Sequence, residues 1–110
     1  MTECVCTEEF RSVTVEVVDP SGAPVEGLSV VVTRLQDGLV LRSRENGGSG
    51  TYMVLDDRAR FDVAASGERV RFVAADGVHS VSADFVMATD LCRCHIHKLL
   101  GPDRLVFPPS

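Results

Sequence analysis

Tryptophan is absent from this 110-residue chain and lysine occurs once, at Lys98. The missing indoles remove the flat rings on which carbohydrate-binding platforms are commonly built. Acidic residues outnumber basic ones, 16 to 11, for a net charge of −5. That balance argues against nonspecific binding to nucleic acid or to an anionic membrane, both of which need a basic surface. No apolar run reaches the roughly 18 residues of a transmembrane helix. No helical apolar period persists over about ten residues. No Gly-x-Ser-x-Gly elbow is present. Gly47-Gly48-Ser49-Gly50 lacks the lysine of a phosphate loop and precedes a strand pattern, not a helix. No secretion signal is visible, since Met1 is followed by the polar Thr2 and Glu3.

What is present is valine, arranged in alternation. Val13, Val15 and Val17 alternate with Ser12, Thr14 and Glu16, which predicts a half-buried strand. Asp19-Pro20-Ser21-Gly22-Ala23-Pro24 ends it. Leu28, Val30 and Val32 mark a second strand. Gln36-Asp37-Gly38 is a hairpin turn leading to a third, Leu39 to Arg44. Thr51 to Leu55 is a fourth and Ala59 to Ala65 a fifth. Val70, Phe72 and Ala74 lie on one face of a sixth, and Asp76-Gly77 turns it into a seventh carrying Val81, Ala83, Phe85 and Met87. A strand over the Cys92–His97 stretch follows, and Leu105-Val106-Phe107 is a short edge strand before Pro108. Turns recur every 8–12 residues or so, the signature of an antiparallel sandwich or barrel. The expected architecture is all-β: one domain over 1–110, with an arm over 1–9, a Greek-key sandwich of about seven to eight strands over 10–107, and a tail over 108–110.

Val17-Val18-Asp19-Pro20-Ser21-Gly22-Ala23-Pro24-Val25-Glu26-Gly27-Leu28-Ser29-Val30 resembles the opening of carboxypeptidase regulatory-like domains, which are transthyretin-like (prealbumin-like) sandwiches. Gly50-Thr51-Tyr52-Met53-Val54 is similar to their Gly-x-Tyr-x-hydrophobic strand. The resemblance spans residues 12–75. It implies a transthyretin-like fold and an extracellular accessory module without catalytic activity. Relatives of that fold include hydrolases of 5-hydroxyisourate, which end in Tyr-Arg-Gly-Ser. This chain ends Phe107-Pro108-Pro109-Ser110, so that activity is the weaker expectation.

The four cysteines sit as two Cys-x-Cys pairs, Cys4/Cys6 and Cys92/Cys94. Residues two apart on a strand share a face, so Cys92 and Cys94 should point one way and His95 and His97 the other. A bond inside one Cys-x-Cys pair would close a strained ring. Bridges between the two ends would close nearly the whole chain, worth about 4–5 kcal/mol in the chain-entropy model. The rival is a zinc site with Cys4, Cys6, Cys92 and Cys94 as thiolate ligands, although Cys-x-Cys is tighter than the usual spacing. Free thiols are the third option. His95 and His97 form at most a weak surface metal pair and read more simply as strand residues in contact with solvent. Cys92-Arg93-Cys94-His95 is one residue short of the c-type haem motif. Asp56-Asp57, with Asp37 or Asp76, lacks a calcium-loop pattern and reads as turn chemistry. Arg58, Arg60, Arg69 and Arg71 are expected on one face of two adjoining strands, read first as a solvated sheet face, with ladders to Glu68 or Asp62 and an anion patch as the alternatives.

The expectation is therefore a disulfide-stabilised, non-enzymatic module of an exported bacterial protein. No catalytic, cofactor or first-choice metal residue is assigned. It would contact a protein partner, or itself, through a sheet edge or loops. The cysteines favour an extracellular or periplasmic setting with a signal peptide or lipoprotein leader trimmed away. A native Met1 would instead make the chain cytosolic.

Overall fold

The computed structural model of the chain describes residues 4–45 and 47–109. Eight strands are formed: β1 (Ser12–Val18), β2 (Ser29–Arg34), β3 (Val40–Arg44), β4 (Thr51–Asp56), β5 (Glu68–Ala75), β6 (Ser80–Thr89), β7 (Ile96–Leu100) and β8 (Arg104–Val106). No α-helix occurs among the described residues, and the one helical element is a 3-10 turn at Asp57–Ala59. A three-stranded sheet has the order β4-β1-β8 and a five-stranded sheet the order β3-β2-β5-β6-β7. After the β2–β3 hairpin the chain crosses back, so that β4 pairs with β1. That return is a Greek-key connection folded over two sheets.

Alternation decides the packing. Val15 and Val17 of β1, Val30 and Val32 of β2, Tyr52 and Val54 of β4, Val70, Phe72 and Ala74 of β5, and Phe85 and Met87 of β6 all turn inward and are buried. Each large side chain so buried contributes about 1.5–3 kcal/mol relative to exposure. Phe72 and Phe85 meet edge to face at the centre, with ring centroids 6.3 Å apart. The β2–β3 turn is fixed by Asp37, which pairs with Arg34 and accepts from the Leu39 N–H. Those contacts hold its carboxyl down to about 2. The β5–β6 turn is centred on Gly77-Val78, with Asp76 Oδ1 accepting from the N–H groups of Val78 and His79.

Three features depart from the sequence expectation. All pairings are antiparallel except β1–β8, which is parallel, because β8 reaches the smaller sheet from β7 of the larger one and arrives running with β1. No strand forms over residues 59–65. Asp56 caps the Arg58 N–H, the chain tightens into the 3-10 turn, and Ala59 and Val63 are buried while Phe61 stays exposed against the Arg60 guanidinium. Arg58 and Arg60 consequently do not share a sheet face with Arg69 and Arg71. Arg71 pairs with Asp84, its cross-strand neighbour on β6, not with Glu68 or Asp62. This exposed pair is worth at most about 1 kcal/mol.

Candidate functional site: a clasp joining the chain ends

The residue types that carry chemistry gather at one end of the sandwich. β6 stops at Thr89, and Asp90 then shapes a tight loop. Its backbone oxygen accepts from the Arg93 N–H at 3.0 Å and its side chain from the Cys94 N–H at 2.8 Å. Arg93 turns the loop with φ of 54°, the one positive φ outside glycine among the described residues. A side chain there costs about 1 kcal/mol or more, which the loop's hydrogen bonds offset.

This loop corrects the expected side-chain parity. Cys92 and Cys94 are not on a strand, because β7 begins only at Ile96. Cys94, His95 and Ile96 are all buried, and His97 is exposed. His95 and His97 therefore do not form a surface pair.

Cys4 bonds to Cys92 and Cys6 to Cys94, with Cα–Cα distances of 5.5 and 5.3 Å. Each bridge spans 88 residues. The first closes nearly the whole chain. The second closes only the small ring between the bridges, so its main effect is to fix the arm's direction. With no free cysteine, no thiolate remains to hold zinc, and the zinc reading of Cys4, Cys6, Cys92 and Cys94 is corrected. Among the described residues no three His, Cys, Asp or Glu side chains are grouped for a metal.

Beside the bridges lies an arrangement centred on Asp57. Its carboxylate is buried, at 3% exposure, which requires partners to offset the lost hydration. Oδ1 accepts from the Ile96 N–H at 2.9 Å. Oδ2 accepts from the Arg11 N–H at 2.9 Å and lies 2.6 Å from His95 Nδ1. Burial pushes the Asp57 carboxyl upward, but the Arg11 N–H, the His95 ring and the Ile96 N–H together outweigh it and hold the carboxyl below its ordinary range. A carboxylate only accepts, so His95 Nδ1 carries the proton. In the neutral ring Nε2 then accepts from the Thr7 hydroxyl, 2.8 Å away. Thr7, His95 and Asp57 stand in the order of nucleophile, base and orienting acid. They also tie the arm, the 3-10 turn and the start of β7 into one unit.

The sequence reads Asp57 only as turn chemistry, beside Asp56, and does not mark Thr7. An Asp-Asp pair after a strand has the composition of a turn, and Asp56 does behave that way. What marks Asp57 as different is its place at the start of the 3-10 turn, where its buried carboxylate meets the Arg11 and Ile96 N–H groups, partners that lie 46 and 39 residues away. Thr7 carries no local signal at all, because its partner is 88 residues away. No family model, curated protein or solved structure matches this chain, so the likeness to carboxypeptidase regulatory-like domains rests on its motifs alone.

Proposed function

We propose that this chain is a non-catalytic accessory module of an exported protein, built to hold its shape and to present a free sheet edge to a protein partner. The carrying observation is how the clasp uses its polar groups. Both Asp57 oxygens serve backbone N–H groups of other segments, and both His95 nitrogens are engaged, so the most reactive-looking residues act as fastenings. Paired disulfides suit an oxidising compartment. No helix of the described residues is long and apolar enough to cross a membrane. The motifs over 12–75 support a transthyretin-like accessory domain in the same sense. Among the sheet edges, β7 is the natural contact: its outer side has no strand partner among the described residues, and Leu99 and Leu100 are exposed on it.

The order Thr7–His95–Asp57 favours a second reading, a hydrolase with Thr7 as nucleophile. A panel of ester, amide and cyclic-ureide substrates, 5-hydroxyisourate included, separates the two. The accessory reading expects no turnover above background, with His95→Gln lowering stability only. Turnover abolished by both Thr7→Ala and His95→Gln would establish the hydrolase and displace the accessory role.

A further inference from the structure

On the edge strand β3, two arginines occupy positions that alternation reserves for core residues. In the β2–β3 pairing Arg42 lies opposite Val32 and Arg44 opposite Val30, both of which face the core. Arg42 and Arg44 therefore belong to the inner face of the five-stranded sheet, on its edge strand. They border a cavity of ≈ 230 Å³ between β3 and β4. Its wall is otherwise apolar or neutral, with Leu28, Val30, Tyr52 and Met53 among the lining residues and no Asp or Glu.

Neither arginine forms an ion pair among the described residues, in a chain with net charge −5. Arg42 Nε is buried and has no hydrogen-bond partner. A buried donor of a charged group left without an acceptor is costly, so it marks a place where an acceptor belongs. Asp56 and Asp62 border the neighbouring depression that Arg42 also lines, yet neither pairs with it. The rim is shaped by glycine. A Cβ on Gly47 would fall against Arg44 Nε, and one on Gly48, whose φ is +95°, would enter the Tyr52 ring. The backbone there packs directly on the two side chains that frame the opening.

An inward charge on an edge strand also discourages edge-to-edge pairing. That role asks for one charge facing an approaching strand. It does not ask for two unpaired guanidiniums over an apolar cavity. From this geometry we infer that the β3–β4 cavity is a binding site for a small organic carboxylate, whose oxygens meet Arg42 and Arg44 and whose apolar body rests on Leu28, Met53 and Tyr52. Arginine's planar fork fits a carboxylate through paired N–H donors. The apolar floor selects acids with a hydrocarbon body over inorganic phosphate. This site is independent of the accessory role and of the clasp.

The test titrates acetate, hexanoate, phenylacetate, phenylacetamide and inorganic phosphate into the isotopically labelled, oxidised protein and follows amide chemical shifts. Hexanoate or phenylacetate should produce saturable shifts centred on Arg44, Gly47, Gly48 and Thr51. Phenylacetamide, acetate and phosphate should bind at least about tenfold more weakly, as expected when a charge-assisted hydrogen bond or the apolar contact is lost. Arg42→Gln should weaken the acid by about the same factor, with the remaining spectrum unchanged. Equal affinity for the acid and its amide, shifts centred elsewhere, or no saturable shift with any acid would overturn the inference. The acid–amide comparison needs no variant, so it stands even if Arg42→Gln folds poorly.

Discussion

Asp57 shows how one carboxylate can carry a large share of local order. It satisfies two backbone N–H groups from segments distant in sequence and fixes the tautomer of His95. Asp57→Asn places an amide N–H₂ where a donor already points, so at least one of these bonds is lost. A destabilisation of about 1–3 kcal/mol is expected in denaturant unfolding. The pH dependence follows from the depressed folded-state carboxyl. Its stabilisation is complete above the unfolded carboxylate value of about 3.9 and is lost as pH falls through the lower folded value. Wild type should therefore lose stability steeply below about pH 4, and Asp57→Asn should lose less over the same interval. Parallel curves for the two proteins would mean that Asp57 is not held ionised by the clasp. Gly101 makes a different point. Its φ is +141°, and a Cβ would collide with the Phe85 ring. Gly101→Ala is expected to cost about 1–3 kcal/mol, read as a lowered unfolding midpoint.

At the scale of elements, strands with one buried face could be read directly from the chain, because alternation and burial are the same fact. β1, β2, β5 and β6 follow their valine and phenylalanine periods. The segment after β4 has the same local alternation, Ala59, Phe61 and Val63, and yet forms no strand. There the cap from Asp56 and the inward Asp57 decide the backbone, and both depend on partners that alternation does not encode. The Cys92–His97 stretch fails for a related reason. A side-chain hydrogen bond from Asp90 and the left-handed Arg93 replace the strand that two-residue parity assumes. The clasp was legible only in part: end-to-end bridging is implied by two Cys-x-Cys pairs, whereas Thr7 and Asp57 enter through tertiary contacts. The inward arginines of β3 were hidden likewise, since their face depends on register with β2. One prediction belongs at this scale. Leu100→Lys on the β7 edge should leave unfolding free energy within about 0.5 kcal/mol of wild type, because the side chain is 67% exposed. It should reduce any concentration-dependent association seen by sedimentation, since charge on an edge opposes strand addition. Unchanged association would place the contact surface elsewhere.

For the whole molecule, the central feature is closure. The sandwich buries a continuous core from β1 to Phe107, and the two bridges join the arm before β1 to the loop before β7. Reducing both bridges frees a loop of nearly the full chain in the unfolded state. Stability should fall by about 4–5 kcal/mol in the chain-entropy model, measured as the difference between oxidised and reduced unfolding curves. A difference near zero would mean that the arm is ornamental to the fold. The most direct test is a tryptic digest of the protein under non-reducing conditions, followed by mass spectrometry. Cleavage after Arg11, Arg71, Arg93 and Lys98 separates Cys92 from Cys94 and both from the N-terminal pair. The structure predicts one species in which peptides 1–11, 72–93 and 94–98 are held together, and which reduction splits into three. Peptide 72–93 joined to 94–98 without 1–11, or four alkylated thiols, would contradict the end-to-end clasp.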